Sequence, residues 1–383
     1  MSSVVTSQLA DWAIAHRRYL HQNPELSGEE FETCHYIRRC LEELNLEILD
    51  YPKPSVVGFF RGTEGKKTIA LRADIDALPV QEENQTEYVS RKPGVMHACG
   101  HDGHTAVLLA VAKWLSENRQ EVRHNVKLIF QSSEEMLPSG AEKLVRLGVV
   151  DDVDAVFGLH LWQPLPLGKI GVCHGPMMAS ADDFRITIAG KGGHGSMPHD
   201  TVDPVYIASH LIGALQSIVS RRIDPIRPAV ISVGRLEAGT TYNIIPNEAF
   251  LYGTVRSFSN ELRQFMASEM KKLVEGICES FGAKGTLEFD FGTPAVVNDK
   301  AMSQFVEQVV ESTFGKETVA ELDPVMGGED FSHYLQRQKG AFIFVGMGGE
   351  KSAYPHHHPR FDIDEAAIPA GIQLFVQLLK QFS

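Results

Sequence analysis

Residues 96–105 read Met-His-Ala-Cys-Gly-His-Asp-Gly-His-Thr, so ten positions hold three histidines, a cysteine and an aspartate separated by two glycines. A thiolate at Cys99 and an imidazole at His101, aimed at one point, suit a borderline-soft divalent cation such as Zn²⁺. On an extended backbone, residues two apart point to the same side, which is the simplest way for this pair to converge. A single histidine is more often a hydrogen-bonded core residue than a ligand. The clustering of potential ligands here, with more downstream, favours half of a metal centre.

The other half is to be sought at strand ends. Apolar runs at 68–71, 126–131 and 155–159 read as buried strands, followed by Arg72-Ala-Asp74-Ile-Asp76, Ser132-Ser-Glu134-Glu135 and His160. In an α/β sheet, ligands gather outside the carboxyl ends of the strands, so these ends can meet. The adjacent carboxylates of Glu134 and Glu135 can divide labour, one binding metal and one activating water; a solvated acid pair is the plain alternative. His356-His357-His358-Pro359 is internal to the chain, and at least one of the three is a candidate ligand. In an extended stretch His357 would face away from its two neighbours.

Two further features are weaker. Gly190-Lys-Gly192-Gly-His194-Gly195 matches a dinucleotide fingerprint literally, but Pro198 and Pro204 delay the helix, and Leu215 stands where an acid is wanted. A flexible loop presenting His194 is the better functional reading. Asn243 and Arg256 carry donors that can hold a carboxylate, although a strand-end turn and a surface cation explain them more simply.

The elements that must position these residues divide in two. Helical spacing is found at 6–19, at a second helix opened by Ser27-Gly-Glu-Glu30 as a capping box, and at 105–115, with a further strand at 56–60. From about Asp183 the pattern becomes strand 184–189, helix 204–219, strands 229–236 and 249–255, helix 261–281 and strand 286–291. This βαββαβ order is a self-contained ferredoxin-like unit. It is inserted, because α/β character resumes at 300–314 and 341–345. The expected organisation is therefore an α/β domain over 1–183 and 294–383, with an α+β insert over 184–293.

The net charge of 36 − 49 = −13 argues against nucleic-acid or anionic-membrane partners. No leader is read in the first residues, and no apolar run is long enough to span a bilayer. The segment 366–382 comes closest, but Gln373, Gln377 and Lys380 mark it as an amphipathic helix. Five scattered cysteines without a Cys-x-x-Cys fit a reducing cytoplasm.

As an ordered set, the segments at 72–79, 96–105, 131–135, 158–160, 190–198, 327–331 and 357–359 resemble the M20 metallopeptidases, closely their amidohydrolase branch. That branch includes aminoacylase-like enzymes, hippurate hydrolases and auxin-conjugate hydrolases. The resemblance runs over essentially the whole chain. It implies a zinc-peptidase-like catalytic domain with a mixed central sheet, and a lid and dimerisation role for the insert, giving a homodimer or homotetramer. It also implies two divalent ions per subunit: zinc is favoured by the thiolate, with manganese, cobalt or nickel as alternatives. Cys99 would bridge them, His101 and His160 completing one site and Glu135 and His357 the other, with His357 chosen by the His-x-Pro pattern. Glu134 would be the general base, His194 would touch the scissile carbonyl, and Asn243 and Arg256 would hold the substrate carboxylate. Asp74 and Asp102 would support the ligands from behind.

The expected reaction is hydrolysis of the amide of N-acyl amino acids by metal-activated water, with Glu134 as general base. Competing readings are a dipeptidase or carboxypeptidase, a hydrolase using the Cys99 thiolate as nucleophile, and a non-catalytic metal-binding module. The Glu134-Glu135 pair counts against the last.

Overall fold

The computed structural model describes residues 4–383; the first three residues of the stretch read above for a leader lie outside it. The chain forms two compact units. The first takes in the residues up to Gly175, Val297–Asp323 and Asp330–Ser383, and the second Pro176–Val296 and Pro324–Glu329. The strand Ala181–Ala189 starts ahead of the 183/184 boundary expected from sequence, so the inserted unit begins earlier, and it takes in a return excursion at Pro324–Glu329.

The first unit is built on an eight-stranded mixed sheet. Its order is Glu47–Leu49, Val56–Phe60, Asn125–Gln131, Thr68–Asp74, Ala155–Pro166, Gly340–Gly348, Ile170–Gly171, Val319–Ala320. Thr68–Asp74 runs parallel to both its neighbours, and Ala155–Pro166 runs parallel to Gly340–Gly348. All seven residues of Thr68–Asp74 are buried, as a central parallel strand covered on both faces requires. The helices His101–Glu117 and Ile368–Gln381 pack in the same core through Val107, Val111, Leu374 and Leu378.

Four local expectations change. His101 opens a helix rather than lying on an extended stretch, because Gly100 adopts φ +92°, a left-handed turn that favours glycine. Ser27 and Glu30 do not form a capping box: the second helix, Phe31–Glu43, instead has the Thr33 N–H donating to the Glu25 carboxylate at 2.8 Å. His160 lies within the long strand Ala155–Pro166, although the pairing with Thr68–Asp74 stops at Gly158. In the helix Ile368–Gln381, Gln373 and Gln377 are buried rather than on the polar side, while Lys380 stays partly exposed and pairs with Glu121; the Gln373 amide oxygen accepts from the Val4 N–H.

The second unit is a four-stranded antiparallel sheet in the order Ala229–Ala238, Glu248–Ser257, Ala181–Ala189, Lys284–Thr293. Phe184, Ile186 and Ile188 alternate inward and share a core with Leu211 and Leu215 of Pro204–Ser217 and with Met266 and Met270 of Asn260–Ser280. This is the ferredoxin-like arrangement. Among the described residues, no helix is long and apolar enough to cross a membrane.

Candidate metal centre

Within the first unit, the donors read from the sequence converge. The Cys99 Sγ, the His101 imidazole and the His160 imidazole form one group, and Cys99, Glu135 and His357 another, with the donor atoms of each group within 4.8 Å of one another. Cys99 belongs to both. Its Sγ lies 3.6 Å from His160 Nε2. A third group joins His101 to both Glu134 and Glu135.

The hydrogen bonds behind the imidazoles decide which nitrogen faces inward. His160 Nδ1 lies 2.9 Å from the Leu161 carbonyl, which can only accept, so Nδ1 carries the proton and Nε2 offers a lone pair. His101 Nδ1 sits 3.0 Å from the Asp76 carbonyl and 3.1 Å from its carboxylate, again leaving Nε2 for a cation. His104 is different. Its Nε2 accepts from the Leu161 N–H at 2.9 Å and its Nδ1 donates to Asp74 at 2.7 Å, so both nitrogens are used.

Local backbone explains the remaining placements. His357 reaches the cluster because it adopts φ +66° and its N–H donates to the Ala98 carbonyl at 2.7 Å. It is this turn, not alternation along an extended stretch, that separates it from its neighbours. His356 stacks on Trp162, takes the Gln163 N–H on Nε2, and lies with Nδ1 3.9 Å from Cys99. The Glu134-Glu135 turn follows Ser133 at φ +52°, whose N–H donates to Glu30 at 2.7 Å.

The two expected supporting acids behave differently. Asp74 is tied to His104 and to the buried Arg72 guanidinium, each at 2.7 Å, with His101 Nε2 3.7 Å away. Asp102 faces away from the donors, accepting from Arg17 and lying 2.8 Å from His21. The residue that sequence reasoning missed is Asp76. Its carboxylate meets His101 Nδ1, the Ser27 hydroxyl at 2.6 Å and the Glu135 N–H at 3.0 Å. The signal was present in the Asp-x-Asp at the strand end.

The electrostatics fit a cation. Burial, with the neighbouring His104 and His356, pushes His160 well below the usual imidazole range. Burial also depresses His101, but Asp74 and Asp76 outweigh it and hold the ring well above that range. Burial and the Glu135 carboxylate push the Cys99 thiol up, against His101 and His357. The Cys99 thiol and the Glu135 carboxylate beside its ring raise His357 to about 10. Glu135 Oε1 is buried without a hydrogen-bond partner, 3.3 Å from His357 Nε2 and 3.9 Å from His101 Nε2. A divalent ion would satisfy a buried carboxylate oxygen set among imidazole nitrogens and a thiol.

The other candidate residues lie in the second unit. His194 is exposed in a short ribbon paired with Ile244; its Nδ1 accepts from the Ser196 N–H at 3.1 Å, which places its proton on Nε2. Asn243 is exposed beside the same ribbon, its amide oxygen accepting from Thr241. Arg256 is partly buried, donating to Thr254 and to the Val255 carbonyl.

Residues 70–381 match the model of peptidase family M20/M25/M40. The chain is 48% identical over 286 residues to an N-acyl-L-amino acid amidohydrolase of Geobacillus stearothermophilus, covering 74% of this chain and 77% of the relative. It is 40% identical to thermostable carboxypeptidase 2 of Saccharolobus solfataricus, covering 98% and 96%. The crystal structure of Bacillus subtilis YXEP protein, described as a dinuclear metal-binding peptidase of the M20 family, superposes with a TM-score of 0.86 at 38% identity over 98% of both chains. On this sequence match and this fold, the chain belongs to the M20/M25/M40 peptidase family and is a hydrolytic enzyme.

Proposed function

We propose that this enzyme hydrolyses the amide of N-acyl amino acids to a carboxylic acid and a free amino acid, using two divalent ions that share Cys99. His101 and His160 would complete one site, and Glu135 and His357 the other. The observation that carries the reading is the sharing of Cys99 between two donor groups, with the Glu134 carboxylate in a third group beside His101 and Glu135. The 48% identity to an N-acyl-L-amino acid amidohydrolase supports the substrate class.

Ions bound there supply Lewis acidity and bring the pKa of water toward about 7. Glu134 accepts the proton of the attacking water and returns it to the leaving nitrogen. The Nε2–H of His194 is a donor for the developing oxyanion, a role that needs no change of protonation. Asn243 and Arg256 hold the substrate carboxylate, the guanidinium supplying charge-assisted donors. Asp76 holds His101 by the nitrogen turned away from the ions, and Asp74 fixes the neighbouring His104. The Cys99 thiolate would favour zinc there, with manganese, cobalt and nickel as alternatives. The enzyme works as a homodimer or homotetramer joined through the inserted unit. All five cysteines are free thiols, which supports a reducing cytoplasm.

A second reading, cleavage of small peptides from the carboxyl end, is favoured by the 40% identity to a carboxypeptidase. One experiment addresses both. Metal-stripped enzyme is reconstituted with zinc, manganese, cobalt or nickel and assayed on N-acetyl, N-benzoyl and longer N-acyl amino acids, on dipeptides and on N-blocked peptides. Stripping abolishes hydrolysis, a divalent ion restores it, and acyl amino acids have the highest kcat/KM. Highest kcat/KM on peptides selects the second reading. Activity that survives chelation but not thiol alkylation makes Cys99 the nucleophile, and metal binding without hydrolysis of any substrate leaves a binding module.

A further inference from the structure

We infer that Arg17 is a positioning residue that holds together the two chain segments carrying most of the metal donors, and so sets the affinity for both ions; the inference rests on the two-ion reading above. Arg17 lies on the helix Ser7–Gln22 and is fully buried. Its Nε donates to Asp102 Oδ2 at 2.7 Å, and Asp102 follows His101 in the first turn of His101–Glu117. Its Nη2 donates to Asp362 Oδ1 at 2.5 Å, and its Nη1 reaches Glu365 at 3.3 Å. Those two acids follow His357 on the C-terminal side. One guanidinium thus touches the segment of Cys99 and His101 and the segment of His357.

The surroundings hold the fork in one orientation. The Tyr88 ring lies 4.9 Å from the guanidinium carbon, and its hydroxyl donates to the other oxygen of Asp362 at 2.8 Å. His21, one turn further along the helix, meets the same Asp102 oxygen at 2.8 Å and reaches Glu82 at 3.1 Å. A buried ionic cluster adds little net stability over apolar packing of the same volume. What an arginine adds is a rigid planar fork that fixes the separation of two carboxylates, which a lysine ammonium on a flexible stem cannot do. Metal–ligand distances tolerate about 0.2 Å, so a slip between the two segments is felt at the ions. The competing account is a staple that joins the N-terminal helix to the core and nothing more.

The test uses the full-length chain, stripped of metal and titrated with Zn²⁺ against a chromophoric chelator and with Co²⁺ followed by absorption. Arg17→Lys keeps the charge and loses the fork. The expected result is a folded protein whose two dissociation constants both rise by about 10–100-fold, with altered cobalt d–d and thiolate charge-transfer bands. Asp362→Asn disturbs one arm only, and is expected to weaken the ion on the Glu135 and His357 side while leaving the other near its wild-type value. An Arg17→Lys protein that melts at lower temperature but binds both ions with wild-type affinity and spectrum overturns the inference and leaves the staple. If Arg17→Lys does not fold, Asp362→Asn decides, and unchanged affinities at both sites overturn the inference. Wild-type protein that binds no ions at all removes the two-ion reading itself, a failure seen before any variant is made.

Discussion

Asp76 offers a test of how the ligand imidazole is prepared. Its carboxylate faces only donors: Oδ1 meets His101 Nδ1–H, and Oδ2 meets the Ser27 hydroxyl and the Glu135 N–H. In Asp76→Asn the shape is kept, but one edge becomes an NH₂ group, and either orientation sets a donor against a donor. With the amide oxygen toward Glu135, the NH₂ confronts His101 Nδ1. That favours the tautomer with its proton on Nε2, the nitrogen needed by the ion. With the oxygen toward His101, the Glu135 N–H loses its acceptor, since only the Ser27 hydroxyl can reverse its role. His101 keeps a fallback in the Asp76 backbone carbonyl at 3.0 Å, so the loss is one charge-assisted hydrogen bond rather than two. Such a bond contributes about 1.5–3 kcal/mol, which is roughly 10–150-fold in an equilibrium constant at 1.4 kcal/mol per decade. The assay is a competitive Zn²⁺ titration of stripped Asp76→Asn protein, followed by kcat at saturating metal. Affinity should fall in that range while the fold, read by circular dichroism, is retained. Two ions bound at wild-type affinity would refute the reasoning.

Three further outcomes are expected. Glu134→Gln keeps both ions, measured by metal analysis, and loses about 10²–10⁴-fold in kcat; wild-type turnover at full occupancy removes Glu134 from the mechanism. Cys99→Ala weakens metal binding at two sites rather than one, and Cys99→Asp keeps partial function because a carboxylate can also bridge; unaltered titration of Cys99→Ala ends the shared role. His194→Ala lowers kcat by about 10²–10³-fold, and mixing those subunits with Glu134→Gln subunits restores activity if His194 serves a neighbour's site. Background activity in mixed dimers, verified by mass analysis, means that the insert serves its own subunit.

Much of the centre was legible because donor chemistry is local. Cys99 and His101 stand out by clustering, Glu135 and His160 by following apolar strands and His357 by its His-x-Pro pattern, and the structure gathers them. What gathers them is less legible. Cys99 and His101 converge through a left-handed Gly100 and a helix start, not by alternation, and His357 turns inward on a positive φ, which is uncommon outside glycine. Ser27 and Glu30 have the spacing of a capping box, yet Ser27 bonds to Asp76 and Glu30 to the Ser133 N–H, so tertiary partners outbid the local motif. Asp74 and Asp76 are alike in sequence. Asp74 ends its strand and binds Arg72 and His104, whereas Asp76 lies just beyond the strand and meets His101 Nδ1, and only that placement separates their roles. Arg17 gave no signal, since its partner Asp102 lies 85 residues away.

The span of the Arg17 cluster bears on how the enzyme is made. The guanidinium is synthesised 345 residues ahead of Asp362 and 348 ahead of Glu365. The sheet shares this property, because Ala155–Pro166 waits for its parallel partner Gly340–Gly348 until after the inserted unit has been synthesised. The insert, continuous from Pro176 to Val296 apart from its short return excursion, has its own core and can close first. Until then the first unit is a nascent chain with an unpaired strand edge, exposed donors and a strong thiol ligand. A chain stalled before residue 340 lacks both the strand Gly340–Gly348 and His357, so it holds neither the paired sheet nor the second donor group.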